Sequence, residues 1–175
     1  MRPYSGIGVL QISQYDSTEP LALFDEPGIS RCCAIAPSEA NSIYPGLFCQ
    51  GAPPHLIVTA MRSDWAKVEY DDAGREAWIN LRQRWIYNSW PDFLKGREVV
   101  FLKNSPKRHM QLMPKPTADS GHPIQSGDPI RVVLVKEDQA YVFDRQLRSG
   151  WIRWKDQDSR LLISIACMEG TAQNR

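Results

Sequence analysis

The chain has 175 residues, 42% hydrophobic and 23% charged, with a formal net charge of +1, a composition that suits a globular protein and excludes a disordered or collagen-like one. Thirteen Pro and eleven Gly interrupt it often, which disfavours long helices and favours many short strands. No run approaches the roughly 18 apolar residues of a membrane-spanning helix, and the length allows one large domain or two small ones, since autonomous units begin near ~60 residues.

Residues 8 to 12 and 21 to 24 read as two short strands. Asp25-Glu26-Pro27-Gly28 then supplies a turn, with Pro fixing φ and Gly accepting the positive φ of a type II turn. Between residues 29 and 54 the text is irregular, with room for brief strands at 31 to 35 and 47 to 49. Residues 55 to 61 form a β-branched, apolar strand that feeds a hairpin over residues 64 to 79. Alternation there places Ala66, Val68 and Tyr70 on one face and Trp65, Lys67 and Glu69 on the other, while Asp71-Asp72-Ala73-Gly74 provides the turn.

Residues 80 to 96 lose the alternation. Ser89 is placed to cap a single helical turn through Leu94, with Pro91 tolerated in its first turn and Gly96 ending it. A second strand set begins at residues 97 to 102, followed by a Pro- and Gly-rich loop over 107 to 129, a strand over 130 to 136 and a last apolar strand over 161 to 168. Residues 58 to 68 laid against 132 to 142 share Val58/Val132, Asp64/Asp138, Ala66/Ala140 and Val68/Val142, and Trp78-Ile79 matches Trp151-Ile152 after one deletion. One structural unit therefore occurs twice. The expected division is a first domain at 1–81, a connector at 82–96 and a second domain at 97–175.

Charge is unevenly spread. Residues 1 to 81 hold five basic and ten acidic side chains, residues 82 to 115 eight and two, and residues 116 to 175 eight of each. In the basic middle, Arg82, Arg84, Lys95 and Arg97 alternate with Trp85, Tyr87 and Trp90, the chemistry of a nucleic-acid-binding surface. Near-neutral total charge and the lack of a recognised motif weigh against it, and a basic connector packing on an acidic neighbour explains the same residues.

The four cysteines, Cys32, Cys33, Cys49 and Cys167, match no zinc spacing. A Cys33–Cys49 disulfide and buried free thiols are both open. Neither Cys context, nor His55, His109 and His122, suggests nucleophilic catalysis, and Gly6-Ile7-Gly8 lacks the third glycine of a phosphate loop. No cofactor, metal site or enzyme activity is expected. The first residues hold too short an apolar core for a signal peptide, which implies a cytoplasmic protein if Met1 is the native start.

Trp65-Ala66-Lys67-Val68 followed by Gly74-Arg75-Glu76-Ala77-Trp78-Ile79 resembles the bacterial SH3-like (SH3b) domains, where a Trp-x-Lys-Val strand leads through a hairpin to a Gly-containing Trp-Ile strand. Gly150-Trp151-Ile152 is similar to the closing part, whereas Gln139 and Tyr141 replace the first Trp and the Lys, so the second copy has diverged. The resemblance implies an all-β protein of two small SH3-like antiparallel β-barrels, here joined by an aromatic-rich connector with at most a short helical turn. It implies a non-catalytic binding or adaptor module for a peptide, a muropeptide or a protein partner, and an envelope or periplasmic location if a signal has been removed.

On that analogy Trp65, Tyr70 and Trp78 are ligand-binding candidates in the first domain, and Trp151 and Trp154 in the second. Trp85, Tyr87, Trp90 and Phe93 are expected to pack between the domains, and the same large rings would suit a domain seam at Trp65 and Trp78. The alternative readings are a nucleic-acid-binding module using residues 82–115 and an accessory domain of a cell-wall peptidase system.

Overall fold

The computed structural model describes residues 2–12, 20–36, 39, 43–44, 46–49, 53–82 and 85–167. Within them the chain is all-β, its strands antiparallel throughout, with little helix besides Trp90–Leu94 and a 3-10 turn at Lys107–His109. The first seven strands are β1 (Gly8–Ile12), β2 (Leu21–Glu26), β3 (Ser30–Ile35), β4 (His55–Arg62), β5 (Trp65–Glu69), β6 (Glu76–Asn80) and β7 (Trp85–Ser89). They form one sheet in the order β3-β2-β6-β5-β4-β1-β7.

Helix α1 (Trp90–Leu94) follows directly. Ser89 caps it by accepting the Asp92 amide, Pro91 lies in its first turn, and Gly96 at φ 79° leaves it. Then come β8 (Glu98–Phe101), β9 (Gln111–Leu112), β10 (His122–Pro123), β11 (Ile130–Lys136), β12 (Gln139–Phe143), β13 (Ser149–Arg153) and β14 (Ile163–Ile165). Five of these form a sheet ordered β13-β12-β11-β8-β14, and β9 pairs with β10. A bridge from Met113 to Trp151 attaches that hairpin to β13, so the second order reads β10-β9-β13-β12-β11-β8-β14. Each strand of the first sheet thus has a counterpart seven places on. Both ladders are open rather than closed barrels.

The copies agree at the level of single residue pairs. In the β4–β5 ladder Val58 faces Val68, Ala60 faces Lys67, Met61 faces Ala66 and Arg62 faces Trp65. Adding 74 to each number gives Val132–Val142, Leu134–Tyr141, Val135–Ala140 and Lys136–Gln139, which are pairs of the β11–β12 ladder. The bulge falls at the same place in both, between Val58 and Ala60 and between Val132 and Leu134. Ser63 (φ 50°) and Glu137 (φ 55°) turn the two hairpins in the left-handed region. After Glu69 and Phe143 the offset becomes 73: Asp71 accepts the Arg75 amide and pairs with its guanidinium, as Asp144 does with Arg148. Tyr70 is the residue without a counterpart.

This second turn also shows a substitution with a cost. Gly74 takes φ 76° in the first copy, whereas Leu147 holds φ 60° at the same place with 81% of its surface exposed. A side chain in the left-handed region costs roughly 1–2 kcal/mol, partly offset by the greater freedom glycine has when unfolded. Leu147→Gly is therefore expected to stabilise the protein by about 0.5–1 kcal/mol, read as a higher urea midpoint at unchanged slope; a lower midpoint would contradict it.

Two apolar clusters hold the molecule together. The first copy's own core comprises Leu10, Leu23, Leu56, Val58, Ala66, Val68, Ala77 and Ile79. The other joins Val9 and Ile57 of the first sheet to Trp90, Phe93 and Leu94 of α1 and to the core of the second sheet. Strands β1 and β4 are consequently covered on both faces, which accounts for the unbroken run His55-Leu56-Ile57-Val58 where a half-exposed strand would alternate. The segment before β1 extends this union: Ser5 donates its amide to the Ser159 carbonyl, Leu161 to that of Pro3, and Arg2 pairs with Asp156 at 2.7 Å.

His55 lies in the shared core, stacked on Phe48 at 4.8 Å and edge-on to Phe93 at 5.5 Å. Burial, and next the charge of Arg97, lower its pKa from 6.5 to about 4. A depressed histidine binds fewer protons folded than unfolded, so its stabilising contribution is full above the unfolded value and is lost as pH falls from 6.5 toward 4. The expected loss is about 3 kcal/mol at 1.36 kcal/mol per unit. Denaturation midpoints at pH 7 and pH 4.5, compared with His55→Phe, check this: the variant should show the smaller decline.

A disulfide links Cys49 to Cys167 across 118 residues, with Cα atoms 5.2 Å apart. This replaces the Cys33–Cys49 option read from the sequence. The physical reason is that the 163–165 strand runs beside residue 47, with the Ile165 amide on the Leu47 carbonyl. Residues 47 to 49 form no strand; Leu47 and Phe48 are instead buried in the shared core.

Candidate binding face

The duplicated ladders allow the outer faces of the two copies to be compared position by position. In the first copy the outward residues of β5 and β6 are Trp65, Lys67, Glu69, Glu76, Trp78 and Asn80. Lys67 pairs with Glu76 at 2.8 Å, and hydrogen bonds from Lys67 and then Thr59 hold the Glu76 carboxyl below its ordinary value. Glu69 accepts the Tyr44 hydroxyl at 2.8 Å. Trp65 meets Phe24 edge-on at 5.2 Å, and Phe24 is also the strand partner of Trp78. The aromatic groups here are thus engaged by the β2–β3 hairpin, with an ion pair beside them.

The second copy carries Gln139, Tyr141, Phe143, Ser149, Trp151 and Arg153 at those places. Tyr141 stands in the position of Lys67 and Phe143 in that of Glu69. Tyr141 touches Phe143 with ring centres 5.9 Å apart and Trp151 at 5.4 Å, so three rings form one continuous surface. Across from them on β11, Arg131 lies opposite Phe143 and Leu134 opposite Tyr141, which places both on the same face. Leu134, Val133 and Phe143 are exposed to 51%, 41% and 37%. One end of the face is covered, because Gln139 donates to the Pro116 carbonyl at 3.0 Å and Met113 bridges to Trp151. The Phe143 end is open. Flat amphipathic rings on a rigid sheet can stack against peptide planes or sugar rings at low entropic cost.

Among the residues singled out from the sequence, Trp151 belongs to this cluster. Trp65 and Trp78 are half-buried, and Tyr70 is half-buried with the Arg75 guanidinium 5.5 Å from its ring centre. Trp154 lies elsewhere: it is 2% exposed, donates its indole N–H to the Glu137 carbonyl at 2.9 Å and packs on Trp90 at 5.5 Å. It shares the parity of buried Ile152 rather than that of Trp151, so it faces inward. Trp90 and Phe93 are buried between the sheets, Trp90 donating to the Ser5 carbonyl. Trp85 is half-buried against the first core, and Tyr87 is exposed with its hydroxyl on the Ile7 carbonyl at 3.0 Å. Tyr141 and Phe143 were missed, although the buried parity of Ala140 and Val142 already turned them outward.

The basic segment is partly committed to the protein. Arg82 pairs with Asp64 at 2.7 Å, and Arg97 sits 4.5 Å from the Phe93 ring centre while donating to the Phe93 carbonyl. Arg84 lies outside the described residues. With Trp90 in the core, the alternation of cations and rings does not form one open surface. Among the described residues no group of three or more His, Cys, Asp or Glu is placed to hold a metal ion, and no helix is long and apolar enough to cross a membrane.

No family model matches the chain, and a search of the curated proteins finds no match either.

Proposed function

We propose that the chain is a non-catalytic tandem SH3-like binding module whose second copy takes a peptide-like or cell-wall-derived ligand on the face formed by Tyr141, Phe143 and Trp151. The observation that carries this reading is the exchange between copies: the ladder is kept pair for pair, while the ion-paired Lys67 and the hydrogen-bonded Glu69 of one copy become Tyr141 and Phe143 in the other. A change that leaves the scaffold intact and gathers three touching rings on its outside, exposed Phe143 beside half-buried Tyr141 and Trp151, is better accounted for by a ligand than by folding, since aromatics left partly in water add less to stability than buried ones. The SH3-like part of the proposal rests on the segments that carry the resemblance, Trp65-Ala66-Lys67-Val68 on β5 and Glu76-Ala77-Trp78-Ile79 on β6, as neighbouring strands of a small meander repeated in the second half. The Cys49–Cys167 bond supports an envelope setting, because disulfides persist in oxidising compartments.

Calorimetric titration with disaccharide-peptide muropeptides and with a random peptide pool tests it. Phe143→Ala and Trp151→Ala are each expected to weaken binding at least tenfold, about 1.4 kcal/mol, and Trp65→Ala to leave it within about twofold, a few tenths of a kcal/mol. Absence of binding by either pool, or binding indifferent to both second-copy changes in folded protein, would overturn the proposal.

A further inference from the structure

The edge hairpin of the first sheet contains a second chemical feature, unconnected with the aromatic face. Strand β3 pairs with β2 through Leu23–Cys33 and Phe24–Arg31, and Cys32, between them, is the extra residue of a β-bulge. In a regular strand neighbouring side chains point to opposite faces; a bulge turns two consecutive side chains toward one side. The sulfurs of Cys32 and Cys33 accordingly lie 3.4 Å apart, both as free thiols, with Cys32 exposed and Cys33 half-buried against the first core.

We infer that Cys32 and Cys33 form a two-sulfur binding site for a single thiophilic centre of the trivalent arsenical class. Two sulfurs bound to one such centre through bonds of ~2.3 Å, the length of a zinc–thiolate bond, stand roughly 3.3–3.8 Å apart, so the bulge already holds them at chelating distance, and soft centres prefer sulfur. The condensation is balanced without an oxidant. With phenylarsine oxide, two arsenic–sulfur bonds form, the two S–H protons leave with the arsenic-bound oxygen as water, and arsenic remains trivalent.

The test uses the full oxidised chain, with Cys49–Cys167 intact, treated with phenylarsine oxide, challenged with excess glutathione and weighed by native mass spectrometry. One adduct per chain is expected, retained under the monothiol challenge and lost in both Cys32→Ser and Cys33→Ser after each is shown to be folded by circular dichroism. An adduct that survives in either single variant, or that glutathione strips from the parent, would overturn the inference. So would the absence of any adduct on a parent whose two free thiols react with a monofunctional reagent. Should Cys33→Ser fail to fold, Cys32→Ser alone decides, since Cys32 is the exposed member of the pair.

Discussion

Replacing Cys49 and Cys167 together with Ser is expected to lower the folding stability by about 5 kcal/mol, the value the chain-entropy model gives for a loop of this size. The bond closes 118 residues and restricts the unfolded chain most when the loop is long. It joins residue 49, beside buried Leu47 and Phe48, to the segment after β14, so it ties a part of the first copy to the end of the second. Urea denaturation of the oxidised parent, the reduced parent and the double variant gives the measurement. The last two should share one lowered midpoint, and a double variant as stable as the oxidised parent would refute the assignment of the bond to the native state. A stability near zero for the double variant is within reach, because folded domains commonly hold only 5–15 kcal/mol in total.

The second large effect is expected at Trp154. Truncation to Ala removes a ring that is almost wholly buried, its contact with Trp90 and its hydrogen bond to the Glu137 carbonyl, and large-to-small changes of this kind cost about 3–5 kcal/mol. The carbonyl left behind adds to the cost, since it belongs to the turn between β11 and β12 and is no longer satisfied by the indole. Trp151→Ala, three residues away on the open face, should cost less than half as much. Chemical denaturation of the two variants side by side makes the comparison; equal losses would mean that Trp151 is as much a core residue as Trp154.

That contrast shows what could be read from the residues and what could not. The two-residue period of 64 to 79, the four identities at an offset of 74 and the Ser89-x-Pro91 start of the helical turn are local signals, and each element they indicate is present. The resemblance pairs Trp154 with Trp151 as a ligand contact, although the two stand three residues apart at the end of β13, an odd spacing that turns them to opposite sides of the sheet. The disulfide was not legible, since spacing says nothing about which cysteines meet once β14 has run past residue 47. Nor was the place of the β2–β3 hairpin on β6, a pairing between residues as distant as Phe24 and Trp78. The binding face became visible only when the two ladders were superposed, because Tyr141 and Phe143 mean little until Lys67 and Glu69 are seen in the same positions.

The long disulfide loop also determines how the molecule answers to force. A pull between Arg2 and Cys167 first breaks the few hydrogen bonds joining residues 3 to 5 with residues 159 to 161, and then travels along residues 2 to 49 and straight across the bond. The 118-residue separation of the two cysteines stays outside the load, with roughly 400 Å of contour at ~3.4 Å per residue held in reserve. Strands β4 to β14 and the aromatic face among them lie within the closed loop, so the backbone through them carries no load until a reductant opens the bond. Stretching single molecules with and without dithiothreitol would show that reserve as an extra extension in the reduced trace alone.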